Sequence, residues 1–175
     1  MQFATENDLP GASVLEIGGG VGHLHVELLR RGAARVTNLE LSPEYEAEAG
    51  RLLDSTGMAD CVERRLLDIA AEPGGAEPAD IVVLHRVVCC YPDYERLLGA
   101  AAAHATRLLV FSYPPASRFN RMVNWSDNVL RRIRGNGFRT YIHQPESMVD
   151  VAAADGMRAT YRQHSRDWDV VGLVR

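Results

Sequence analysis

The chain has 175 residues, 46% hydrophobic and 24% charged, with a formal net charge of −4, which suits one globular domain with its own core. It contains no run of 18 apolar residues and no signal-peptide pattern, so neither a membrane span nor export is indicated and a cytoplasmic location is expected. Cys61, Cys89 and Cys90 lack the paired spacing of a zinc site or disulfide framework, and all 19 basic residues are arginine, which excludes Schiff-base chemistry and a P-loop lysine.

Short β-branched runs alternate with longer amphipathic segments, which predicts an α/β fold with a doubly wound, mostly parallel sheet. A strand at Ser13–Ile17 should run through glycines into a helix from Val21 to Arg31 that Gly32 stops. A second strand, Arg35 to Leu39, ends in Glu40, and Ser42 then caps a helix with Pro43 in its first turn. The third strand is read at Cys61 to Leu67, ending at Asp68. The fourth is Asp80 to Leu84, a solid apolar run suited to a sheet buried on both faces. A helix from Tyr94 to His104 leads to a fifth strand, Arg107 to Ser112, stopped by Pro114-Pro115. Beyond it, Arg118 to Arg134 reads as helical, Phe138 to His143 as extended and Pro145 to Asp155 as helical. Arg158 to His164 and Asp167 to Val174 alternate like a closing antiparallel pair.

The chemistry starts at the first turn. Glu16 is followed by Gly18, Gly19, Gly20 and Gly22, a strand-to-helix loop in which glycine permits positive φ and close backbone approach by a ligand. A dinucleotide fingerprint, G-x-G-x-x-G, fails in both frames, because its third glycine would fall at His23 or His25. Glu40, 22 residues after Gly18, is placed where a carboxylate can accept from both ribose hydroxyls, with a solvated strand-end acid as the competing reading.

The pattern E-x-G-x-G-x-G resembles motif I of the class I S-adenosylmethionine-dependent methyltransferases. The resemblance implies a Rossmann-like seven-stranded sheet with a C-terminal antiparallel hairpin, S-adenosyl-L-methionine as cofactor and S-adenosyl-L-homocysteine as product. It also implies that Glu16 lies near the amino acid end of the cofactor, with Gly18, Gly19, Gly20 and Gly22 passing beside the sugar and methionine. Asp68-Ile69 matches the family's adenine site, with Leu41 on the other face of the ring; a capping role for Asp68 stays open. After the fourth strand, His85 and Tyr91 are candidates to face the methyl group, and Arg86 to pair with the cofactor carboxylate. A satisfied structural strand-end residue, the commoner role for a lone histidine there, is the competing reading for His85.

Between Ser117 and Gln144 stand six arginines against the single acid Asp127. The resemblance makes residues 114–144 an acceptor-side cap within a single domain spanning 1–175, and nominates Tyr113, Arg118, Arg121, Arg139 and Tyr141 for substrate binding and His143 as a further catalytic candidate. A solvated basic helix is the alternative. Cys-Tyr-Pro after the fourth strand, Ser-Tyr-Pro-Pro after the fifth and Tyr-x-His later also resemble the magnesium-protoporphyrin O-methyltransferase branch. The expected activity is methylation of a small anionic or aromatic carboxylate or hydroxyl, without a metal. An RNA methyltransferase and a cofactor-binding core without turnover are the rivals; nucleic acid is disfavoured by the absence of an appended binding module. About a dozen residues precede the first strand, so a short or missing N-terminal cap is expected, as is a monomer or homodimer.

Overall fold

The computed structural model describes residues 9–175, and of residues 118 and 119 the backbone alone. The elements are β1 (Ser13–Ile17), α1 (His23–Arg30), β2 (Arg35–Glu40), α2 (Glu46–Thr56), β3 (Val62–Leu66), β4 (Ala79–Leu84), α3 (Tyr94–His104), β5 (Ala105–Tyr113), α4 (Arg118–Ile133), α5 (Pro145–Ala153), β6 (Arg158–Gln163) and β7 (Asp169–Val174). They form a seven-stranded sheet in the order β3-β2-β1-β4-β5-β7-β6. The ladders are parallel from β3 to β5, whereas β7 runs antiparallel to both β5 and β6.

Alternate residues of the central strands feed two cores. Leu15, Ile17, Val82, Leu84, Leu109 and Phe111 join α3 and α5 on one face, while Val14, Val36, Ile81, Val83 and Leu108 meet Leu28 of α1 on the other. Burial on both faces explains the continuous apolar run of β4. Strand order reverses between β1, which turns outward to β2, and β4. A crevice therefore opens above their carboxyl ends, where ligands of such sheets bind.

Four local readings are corrected. The first helix begins at His23 rather than Val21, because Gly20 and Gly22 sit at φ +57 and +105, outside helical geometry. Pro43–Tyr45 is a separate 3₁₀ turn before α2, with Ser42 Oγ accepting from Glu44 N at 3.3 Å. β3 ends at Leu66, so Asp68 lies in the loop that follows. Phe138–His143 joins no ladder. Its backbone is instead held by asparagines of α4, with Asn124 Nδ2 and Asn128 Nδ2 donating to Thr140 O at 3.0 and 2.7 Å. Among the described residues, no helix is long and apolar enough to cross a membrane.

Candidate functional site

Glu16 at the end of β1 is buried, and its carboxylate faces beneath the glycine loop. Its Oε2 lies 2.6 Å from Nδ1 of buried His25 and accepts from Asn38 Nδ2 at 3.3 Å. The loop is laid directly over this network. A Cβ on Gly19 would collide with the Asn38 amide and the Glu16 carboxylate, one on Gly22 with the His25 ring, and one on Gly18 with Val87. Gly20 differs: no atom lies within 4 Å of its Cβ direction, and its φ is +57. Packing excludes a side chain at Gly18, Gly19 and Gly22, and positive φ favours glycine at Gly18, Gly20 and Gly22.

Both polar groups of Gly20 are clamped. Its N–H donates to Glu40 Oε2 at 2.8 Å, and its carbonyl accepts from Arg64 Nη2 at 2.9 Å. Arg64, from β3, is fixed in turn by Glu46 at 2.8 Å. The other Glu40 oxygen accepts from Leu41 N and Ser42 N at 2.8 and 3.1 Å. The carboxylate thus ties the β1 and β2 loops together.

Gly18, Gly20, Glu40, Leu41, Asp68 and Ile69 are brought together around a cavity of about 660 Å³, with Arg86, Cys90, Tyr91 and Phe138 completing its wall. That size suits a nucleoside with an attached side chain. Asp68 accepts from the Tyr91 hydroxyl, at 3.1 Å to Oδ1 and 2.9 Å to Oδ2, and from Ala70 N at 3.0 Å. It therefore stabilises its own turn and faces the cavity at once. Burial, together with Asp68 as acceptor, raises the Tyr91 pKa. Glu16, Gly19 and Gly22 lie behind the wall rather than in it.

The remaining predicted residues scatter. His85 is exposed beside the β5 end, its Nδ1 3.4 Å from Ser112 Oγ, and lines neither cavity described here. Arg86 holds φ +62, the one positive φ of a non-glycine among the described residues. Its guanidinium sits 4.9 Å from the centre of the Trp168 ring, a cation–π contact. His143 stacks at 5.8 Å on Tyr141, and its Nε2 lies 3.2 Å from Tyr91 O. The surrounding protein lowers the pKa of both histidines from the ordinary 6.5, with the Arg86 charge adding to the effect at His85.

A second cavity, about 340 Å³, is lined by Asp127, Arg131, Tyr141, Arg166, Asp167 and Trp168, among others. Of the predicted substrate residues it includes Tyr141. Tyr113 is instead buried against Phe111, and Arg121 is exposed on α4. Arg139 donates to Asn136 O and Phe138 O of its own loop at 2.6 and 2.9 Å; the Arg118 side chain lies outside the described residues. Sequence reasoning missed His25, Asn38, Arg64, Arg166 and Trp168. For Arg166 and Trp168, the one available signal was an aromatic residue between two acids ahead of the last strand.

Comparison with known proteins agrees with this geometry. The family model for the methyltransferase domain matches residues 1–159. An arginine N(omega)-methyltransferase from Streptomyces achromogenes subsp. streptozoticus is 33% identical over 140 residues, which is 75% of this chain; the chain spans 38% of that relative's length. Among solved structures, magnesium protoporphyrin IX methyltransferase from Synechocystis PCC 6803, with S-adenosylhomocysteine bound, superposes with a TM-score of 0.78 at 22% identity, over 99% of this chain and 78% of that one. An O-methyltransferase family protein from Burkholderia thailandensis gives 0.79 at 16% identity, over 99% and 54%. The matched domain, the strand order and the glycine loop over the crevice together place this chain in the methyltransferase-domain family, as a class I S-adenosylmethionine-dependent methyltransferase.

Proposed function

We propose that the chain methylates a small-molecule carboxylate or hydroxyl held in the second cavity, with S-adenosylmethionine in the first. The observation that carries this reading is that the two cavities share a wall. Cys90 lines one and its neighbour Cys89 the other, and Arg86 of the first touches Trp168 of the second.

In this reading Glu40 accepts from the ribose hydroxyls and Asp68 from the adenine amine, with Leu41 and Ile69 against the ring. Gly18 and Gly20 offer backbone beside the sugar, and Arg86 exchanges Trp168 for the donor carboxylate. The donor supplies an electrophilic methyl group on a sulfonium. The protein holds acceptor and methyl close and aligned, which can supply much of the catalysis. Arg131 and Arg166 hold the anionic acceptor. A carboxylate is already ionised at neutral pH, whereas a phenol near 10 needs a base. His143 Nε2 is held at the Tyr91 main-chain carbonyl and the Tyr91 hydroxyl donates to Asp68, while His85 lines neither cavity, an arrangement that favours an acceptor needing no base.

A second reading has its own support. Asp127 and Asp167 share that cavity with Tyr141 and Trp168, a setting for a guanidinium cation, and the Streptomyces relative is named for arginine N-methylation. Transfer assays with aromatic carboxylates, phenols, guanidines and RNA decide between them. The first reading expects carboxylate or phenol turnover that falls at least tenfold in R131A/R166A. Turnover of guanidines alone, lost in D127N/D167N, supports the second. Methylation of RNA alone, or donor binding without any turnover, overturns both.

A further inference from the structure

Helix α4 is mounted inside out. Its asparagines, at a spacing of four, face the body of the protein: Asn120 Nδ2 donates to Pro115 O at 2.8 Å, and Asn124 and Asn128 grip Thr140. On the opposite side Met122, Trp125 and Ile133 are 61%, 68% and 76% exposed. Val129 and Leu130 extend the strip, which reaches about 17 Å from Met122 to Ile133 at 1.5 Å per residue. A surface helix normally turns such a stripe inward. Here no described residue covers it.

The charge pattern says what can. Arg121 and Arg132 border the Trp125 side of the strip, Arg134 closes its end, and all three are exposed. The helix's single acid, Asp127, faces the second cavity instead. Residues 117–144 carry six arginines and one acid, +5, so with a total of −4 the rest of the chain carries −9. Two copies paired through the strip would press arginine borders together with no acid between them. A partner must be apolar and anionic over the same area. Large amphipathicity, low net hydrophobicity, tryptophan on the apolar face and arginine at its edges are the features of a helix lying in a bilayer interface.

We propose that α4 is a docking helix for an anionic lipid surface. The acidic remainder of the molecule is repelled by such a surface, so α4 is the face that meets it. The helix lies shallowly, with Met122, Trp125, Val129 and Ile133 among the acyl chains and the arginines at the phosphates. This docking is independent of which acceptor the enzyme methylates.

The test is sedimentation of the full chain with phosphatidylcholine vesicles, and with vesicles containing about one-third phosphatidylglycerol. The expected result is binding to the anionic vesicles, with little to the neutral ones and a loss at high salt. R121Q/R132Q should weaken it by roughly thirtyfold, at about one kcal/mol per arginine. M122S/I133S, at exposed positions that the fold does not use, should weaken it at least as much while leaving the melting curve unchanged. Equal affinity for both vesicle types, or binding that survives both double variants, overturns the proposal. So does absence of vesicle binding, including the case where ultracentrifugation finds a dimer that M122S/I133S abolishes.

Discussion

His25 Nδ1 lies 2.6 Å from Glu16 Oε2, both side chains being shut away from solvent directly under the glycine loop. Neither residue lines the cavity. Their contact shapes the floor on which Gly19 and Gly22 rest, so in the proposed function it acts on donor binding through the loop.

Replacing His25 by Ala leaves a buried carboxyl group short of a partner and opens a void beneath Gly22. The expected cost is about 3 kcal/mol in urea unfolding. Gly19→Ala should keep most of that stability only if the loop lifts, and donor affinity should then fall at least tenfold by calorimetry. A His25→Ala protein within 0.5 kcal/mol of wild type would show that the contact carries no load.

Glu40 holds three backbone N–H groups while facing the cavity. Glu40→Gln places an amide donor among those donors and weakens acceptance from the ribose, so S-adenosylhomocysteine should bind at least tenfold more weakly. Glu40→Asp should recover only part of the loss. Titration calorimetry with NAD as the control checks this, and an unchanged affinity in Glu40→Gln would remove Glu40 from the donor site.

For a carboxylate acceptor, His85→Ala and His143→Ala should each reduce turnover by less than tenfold, because no proton has to be removed. Losses above a thousandfold would sink the carboxylate route. The pH profile adds an independent sign. Both histidines have pKa values below 6.5, so each is neutral at pH 7 and becomes protonated only on acidification. A base role makes turnover fall at a pH lower than 6.5, where the imidazole takes up its proton, whereas an ionised carboxylate with no base keeps turnover flat until the carboxylate itself is protonated, at about pH 4.

Cys89 Sγ and Cys90 Sγ are 3.6 Å apart. The hydrogen bond between them stabilises the Cys90 thiolate and brings its pKa down to about 7, while Cys89 is pushed up by the same bond and by burial. Alkylation of Cys90 should therefore rise with pH through a midpoint near 7, and in Cys89→Ala the midpoint should move toward 9. Because Cys90 borders the larger cavity, S-adenosylhomocysteine should slow the reaction. A midpoint unmoved in Cys89→Ala would remove Cys89 as its cause.

Much of the fold was legible because its signals are local. Pro and Gly punctuate the strands, and the alternating glycines mark the strand-to-helix loop after β1. Helix α3 was read from Tyr94 to about His104, which is where it lies. The start of α1 was missed by two residues, since left-handed backbone at Gly20 and Gly22 cannot be read from an apolar period. Between Ser117 and Gln144 the difficulty was different. Six arginines are a count without a direction: Arg131 reaches the second cavity, Arg139 folds onto its own loop and Arg121 points outward.

By itself, then, the sequence determined most of the strands and helices, the glycine loop after β1 and the acid at the end of β2, all of which depend on residues close together in the chain. Tertiary structure alone decided that Glu16 supports the loop from below, that Arg64 crosses from β3 to Gly20, and that Arg166 and Trp168 join Arg131 and Tyr141 around one cavity. Those contacts join residues 44 positions apart in the case of Arg64 and Gly20, and strand order, which no local pattern encodes, brings them together. The orientation of α4 belongs here too. The helix itself was read from the sequence, but only the bonds from Asn124 and Asn128 to Thr140 turn its apolar side outward.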